Sequence, residues 1–426
     1  MKKIFGIITL LVILICSYFI VSSKFNQIGL DTSDYQIELI SNDLKEAEDF
    51  VFDKEGNIYV SKKNKLIKIK KDNSKEVVFE EKGITIMDIA YLNGEILYLY
   101  DDKMNSYNLE TKRHKLIIDS IPTDGDYKDN KILVKDQDIY LTVGARTNSG
   151  VVGEDNKWRG NGKHDLSSEE LEFNNITFKG TSPYSPYKKV FSNERKSKES
   201  KIGNASIIKI NIKTKEIKLI ASGIRNVEGI DFDSSNKIYM TVGGIEYRGS
   251  RPLFGDTDYL YQLEEGSWYG WPDYSGGDPV NSVRFRKEGK EKQNFLLKNH
   301  NKTPKAPLYQ HKDINSLGAM AVDKSGKIET KDSFFIYDKL TENIINLRKE
   351  GEQKNILNLK GADVEKIIAK DENLYVLDKR NGLILKIYNR NNRSVITEQI
   401  KIMSVILVIM TITIMLLFLL VRRLYK

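Results

Sequence analysis

The sequence predicts an all-β protein: a six-bladed β-propeller flanked by an N-terminal and a C-terminal transmembrane helix. Three observations lead there. A hairpin-forming unit recurs six times, the region holding the repeats is too long for one ordinary core, and both ends of the chain carry apolar runs.

The repeated unit is an apolar stretch, a turn rich in Asp, Asn and Gly, and a second apolar strand that usually carries a tyrosine. It occurs as FVFDKEGNIYVS ending at Ser61, IAYLNGEILYLY at 89–100, ILVKDQDIYLTVG at 132–144, IDFDSSNKIYMTVG at 230–243, AVDKSGKIETKDSFFIYD at 321–338 and IIAKDENLYVLD at 367–378. Alternating apolar positions suit half-buried strands, and the turn residues suit tight reversals. Further strands follow in several units, as in SIIKINIKTKEIKLIAS at 206–222 and LILKIYNRN at 383–391, which makes three or four strands per unit. One such unit cannot cover both its faces, whereas six arranged around an axis can; an open sandwich of hairpins is the competing arrangement. The YQIELI stretch ending at Ile40 is expected to supply the outer strand that joins the last blade to the first.

At the N-terminus, Ile4 to Val21 is almost wholly apolar after Lys2 and Lys3; at the C-terminus, Ile402 to Val421 is apolar and followed by Arg422, Arg423 and Lys426. A run of about 20 apolar residues crosses a bilayer, and basic flanks remain on the cytoplasmic side. This divides the chain into an anchor or signal segment at 1–23, an outer propeller at 35–391 and a transmembrane helix at 402–421. Cleavage near Ser22 or Ser23 is the alternative for the first run, and it would leave the second as the anchor. Cys16, the only cysteine, sits inside the first run, so the outer part has no disulfide.

The formal net charge is +8, but seven basic residues lie in acid-free terminal segments, which leaves the outer part nearly neutral. Its lysines and acids alternate along the chain, the pattern of a solvated face, and nucleic acid is not an expected partner. Lysine-rich, cysteine-poor composition fits a bacterial envelope protein in the cell membrane, with the bulk of the chain extracytoplasmic.

Two polar excursions, 147–204 and 268–317, interrupt the repeats and are expected on the face that bears the binding site. Between them lie GIRNVEG at 223–229, EYRGSRPLFGDTDYLYQL at 246–263 and SWYGWPDYSGGDPV at 267–280. Trp268, Tyr269, Trp271 and Tyr274, flanked by Asp273 and Asp278, have the composition of a sugar-stacking surface, or else they wedge the loop onto its blade. Among the histidines, His114, His164 and His300 fall in polar turns and read as exposed.

These clusters resemble the glucose/sorbosone dehydrogenase family of β-propeller quinoproteins, most strongly over residues 125–311. The resemblance implies pyrroloquinoline quinone and calcium as cofactors, with Asp126, Arg225 and Asn226 on the cofactor and Arg225 polarising the quinone oxygen. It also implies a ligand contact for His311. The family's histidine base is absent: Tyr127 stands where it is expected, and a phenol that titrates near pH 10 is a poor base at neutral pH. Glu246, Asp256 and Asp258 follow no recognised calcium-loop spacing, so the metal ligands are unassigned. The expected function is therefore a membrane-tethered binding or sensing protein for a sugar, polyol or other polar ligand. A working quinone-dependent sugar dehydrogenase and a scaffold for another envelope protein are the alternatives. Protease added to intact cells is expected to digest residues between about 24 and 401; protection of that region until lysis would reverse the orientation.

Overall fold

The computed structural model describes residues 34–191, 195–290, 292–300 and 302–389. The apolar runs at 1–23 and 402–421 lie outside the described residues, among which no helix is long and apolar enough to cross a membrane.

Six sheets, each built on four antiparallel strands, form the blades. Their innermost strands, in chain order, are Ala47–Phe52, Ile86–Leu92, Ile132–Lys135, Val227–Phe232, Leu317–Val322 and Val364–Lys370. Each of the six sequence repeats forms the inner hairpin of one blade. The acidic residue opening several turns explains why they reverse there. Asp53 accepts the amide of Asn57 at 2.8 Å, Asp233 those of Ser235 and Lys237 at 2.9 Å, and Asp323 that of Gly326 at 2.8 Å.

The ring closes as expected from the N-terminal strand. Tyr35–Ser41 pairs with Leu383–Asn389, so the sixth blade combines the last three strands of the propeller with its first. Blade four departs from simple order. Its outermost strand, Tyr309–Gln310, arrives only after the second excursion, and Ser267–Trp268 adds in parallel to the outer edge of blade three.

Six of the apolar clusters lie between neighbouring blades, one for each junction. Two more lie within the excursions and the segments beside them. Near the axis, carboxylates on inner strands reach the backbone of the next blade: Asp49 accepts from the amide of Ile89 at 3.0 Å, Asp88 from Ile132 at 2.7 Å and Asp231 from Val322 at 2.9 Å.

Strand direction gives the propeller two unlike faces. The starts of the inner strands and both excursions share one, here the entry face; Lys131–Glu365 at 3.1 Å and Lys339–Glu228 at 2.5 Å join blades across it. Because Leu383–Asn389 runs in the same direction as Val364–Lys370, it ends on the far face, where Tyr35 is paired with Asn389. Both chain exits therefore leave side by side from the face opposite the excursions.

Asp49 is 1% exposed and also binds Lys366 at 3.2 Å. Asp49→Ala leaves that ammonium only Asp88 at 3.9 Å and strands the amides of Phe50 and Ile89, and is expected to destabilise the chain by about 3 kcal/mol. Glu55→Ala, on an exposed turn, is expected to be nearly neutral; equal effects in urea unfolding would refute the carboxylate's role between blades.

Candidate functional site

The entry face brings Asp126, Tyr127, Arg225 and Asn226 together. Asp126 and Tyr127 lie against the strand exit of blade three, their amides donating to the carbonyls of Arg146 at 2.9 Å and Ala145 at 3.3 Å. Gly144 permits this approach, since a Cβ there would stand 2.1 Å from the carbonyl oxygen of Tyr127. The amide of Ala145 in turn donates to the carbonyl of Arg225 at 2.7 Å, so three chain segments fix the site.

Arg225 is 3% exposed. Its guanidinium contacts Asn148 Oδ1 at 3.0 Å, the Asn148 carbonyl at 3.2 Å and Glu246 Oε1 at 2.5 Å. It also donates to the phenol oxygen of Tyr127, whose ring lies 4.0 Å beneath the guanidinium carbon. Burial lowers the Arg225 pKa to about 10 against the opposing pull of Glu246, and the group stays charged at neutral pH.

Around this contact a second arginine completes a network that the sequence reading missed. Arg248 donates to Glu246 at 2.9 Å, Asp126 at 3.0 Å, Asp155 at 2.5 Å and the Tyr127 oxygen at 2.7 Å. The Tyr127 hydroxyl donates to Glu246 at 2.5 Å. Asp126 is further held by Asn156 at 2.7 Å and the Trp158 indole at 2.9 Å. Asn226 turns to Glu228 at 2.5 Å, beside Lys339.

Of the remaining candidates, Trp271 meets this cluster at the Asn148 carbonyl, and Tyr269, Trp271 and Tyr274 line a small cavity with Arg225, while Trp268 and His311 lie apart. His311 is 2% exposed and packed beneath the surface, with Tyr309 at 3.1 Å and Ser316 at 3.3 Å. Tyr269 is buried and its hydroxyl closes a turn between the Gln262 carbonyl at 2.6 Å and the Glu264 amide at 2.9 Å. Trp271 is buried and donates to the Asn148 carbonyl at 3.0 Å. Trp268 and Tyr274 pack edge to face with ring centres 5.5 Å apart. These rings stabilise the excursion; they do not form an open stacking platform.

Two further expectations are corrected. Asp273, read as flanking a sugar-stacking surface, is fully buried and committed to Arg251 at 2.8 Å and to the amides of Leu296 and Leu297, both at 2.8 Å. His300, read as exposed, binds the same carboxylate at 3.0 Å and stacks on Trp268. A carboxylate this far from water needs such donors, and the chain supplies them from Arg251 and from the second excursion.

Near the axis the face opens into a funnel of about 900 Å³ with six acidic and five basic residues in its walls. Four of the five bases are already answered: Lys131 by Glu365 at 3.1 Å, Arg146 by Asp124 at 2.5 Å, Lys163 by Asp124 and Lys379 by Glu48. Asp258 accepts the amides of Ser316 at 2.6 Å and Leu317 at 2.9 Å, and Asp256 that of Ile245 at 2.6 Å. Among the described residues no group of three or more His, Cys, Asp or Glu side chains is placed to hold a metal ion.

No family model and no curated protein matches the chain. Solved structures do. The calcium structure of a Trichoderma reesei carbohydrate-active enzyme of family AA12 aligns with a TM-score of 0.58 at 14% identity, over 84% of this chain and 96% of that one. The holo form of the PQQ domain of pyranose dehydrogenase from Coprinopsis cinerea gives 0.55 at 11%, over 85% and 97%. The apo-form of the soluble aldose sugar dehydrogenase from Escherichia coli gives 0.55 at 14%, over 84% and 100%. At these identities the shared property is the six-bladed fold.

Glu246→Gln keeps the shape of the network and removes the charge that answers Arg225. It is expected to cost roughly 3 kcal/mol, because a buried cation would lose its nearest anion. Thermal unfolding of the full-length variant in detergent measures this, and an unchanged midpoint would refute the coupling.

Proposed function

We propose that this chain is a membrane-tethered, extracytoplasmic propeller that binds a sugar-like or other polar ligand without oxidising it. The observation that supports this most is the state of Arg225. Its guanidinium is buried and already satisfied by Glu246, Asn148 and the phenol of Tyr127.

Quinone-dependent oxidation of a sugar needs a base to take the hydroxyl proton and a cation aimed at the oxygen where negative charge develops. Pyrroloquinoline quinone, when bound, supplies the hydride acceptor. Here Tyr127 occupies the position of the base, its hydroxyl donates to Glu246, and the adjacent arginines neutralise carboxylates of the chain itself. The funnel has no surplus of positive charge for a tricarboxylate, and calcium finds no cluster of free carboxylates among the described residues. The residues present therefore do not fit these cofactors. What they can do is present fixed donors and acceptors to an uncharged polar molecule at the rim.

The tether rests on the two apolar runs, 4–21 and 402–421. Anchors continuing from the far face would hold the entry face away from the bilayer and open to the outside. Full-length protein supplied with pyrroloquinoline quinone, calcium and glucose or another aldose is expected to reduce an electron-accepting dye no faster than the blank. Turnover that requires both added cofactor and Arg225, abolished by Arg225→Ala, would make the chain an oxidoreductase.

A further inference from the structure

A second cavity lies outside the funnel, between the two excursions. It measures about 270 Å³ and includes Ser168, Glu169, Trp268, Asn299, His300 and Lys302 in its walls. That is near the roughly 300 Å³ at which small-ligand pockets begin, and suits one sugar ring.

Main-chain bonds between the excursions hold the walls apart at a fixed distance. The amide of Asn174 donates to the carbonyl of Leu296 at 2.8 Å, and that of Lys298 to Glu172 at 2.8 Å; the side chain of Asn174 reaches the carbonyls of Phe295 and Leu297, both at 3.0 Å. Asp273 anchors the back wall through Arg251, and it orients His300. With Nε2 donating to that carboxylate, Nδ1 of His300 is left as an acceptor. Gly223 lets Trp268 reach its place, since a Cβ there would lie 2.4 Å from the indole nitrogen. Among the described residues that indole N–H has no hydrogen-bond partner.

We infer that this cavity is a binding site for a single uncharged or amine-bearing sugar ring. The inference rests on the reading that the chain binds a sugar-like ligand, but it moves the ligand out of the funnel. Hydroxyl groups both donate and accept, and the wall offers them matched partners: acceptors on Glu169, Glu170 and His300, donors on Trp268, Asn299 and Lys302. Glu169 already accepts from Ser222 at 2.8 Å and Lys302 at 2.9 Å, which fixes its carboxylate. Each glutamate of the lining is paired with a lysine, Glu169 with Lys302 at 2.9 Å, Glu170 with Lys196 at 2.7 Å and Glu172 with Lys298 at 2.6 Å, so an acidic sugar finds no unanswered cation there to offset its desolvation. Apolar lining comes from Leu171, Trp271, Pro272 and Leu297 together with the edge of Trp268, whose face is stacked on His300, and it lies beside the polar groups as a sugar's alternating C–H and O–H edges require.

Calorimetric titration of the full-length chain tests this, in a detergent without a sugar headgroup and with glucose, glucosamine and glucuronate as probes. Saturable binding of glucose or glucosamine is expected, with glucuronate about tenfold weaker or worse. Asn299→Phe, at an exposed wall position that tolerates a larger ring, should fill the cavity and weaken binding at least tenfold; Trp268→Phe should weaken it less. Absence of saturable binding by all three sugars would overturn the assignment. So would binding that ignores Asn299→Phe and responds instead to Tyr127→His in the arginine network of the entry face. The dye-reduction assay answers separately whether any sugar is oxidised.

Discussion

Every blade has two apolar faces, and each is covered only by its neighbours around the ring. Six interblade clusters follow from this, and the two that hold residues of the closing strands, on either side of blade six, are exposed first if the circle opens. The closing contact is therefore a condition for the whole ring: Tyr35–Ser41 must find Leu383–Asn389 across nearly the whole length of the propeller. With no cysteine outside the first apolar run, no covalent link assists it. Burial of apolar surface and the backbone ladder do this together, reinforced near the axis by Asp49, Asp88 and Asp231.

The entry face is governed by a different rule: a charge removed from water must be met by an opposite charge or by several dipoles. Arg225, Arg251, Asp256, Asp258 and Asp273 are all nearly inaccessible, and each is met. What distinguishes this face from one prepared for an anionic cofactor is that its cations are matched internally. Tyr127 is central to that matching. Its ring covers Arg225 and its hydroxyl bridges both arginines to Glu246, so the residue that departs from the family pattern is also the one around which the network is organised.

Much of the architecture was legible in the sequence because its signals are local. The alternation of apolar residues and the Asp-led turns at Asp53, Asp233 and Asp323 lie within a dozen residues, and they specified six hairpins. The two-residue strand Tyr309–Gln310 was not legible, because it is too short for a period and follows a long excursion. Likewise the site's backbone pair, Arg225 and Asn226, stood out beside its glycine, while Arg248 did not. Its partners Asp155 and Asp126 lie 93 and 122 residues away in the chain, and only the closed ring brings them together. The roles of Asp273 and His300 were hidden because they meet each other 27 residues apart, and Asp273's other donors, Arg251, Leu296 and Leu297, stand 22 to 24 residues from it with no local period to reveal the pairing.

The side-by-side exits on the far face have a mechanical consequence. Tyr35 and Asn389 are partners at the open end of an antiparallel ladder. A force that drew the two exits apart would load that ladder one rung at a time, peeling it like a zipper, whereas a force shared by both would carry the propeller as a rigid body. The closure is thus resistant to a pull shared by both ends and weak against their separation, so drawing those two ends apart is the deformation that opens the ring at its seam.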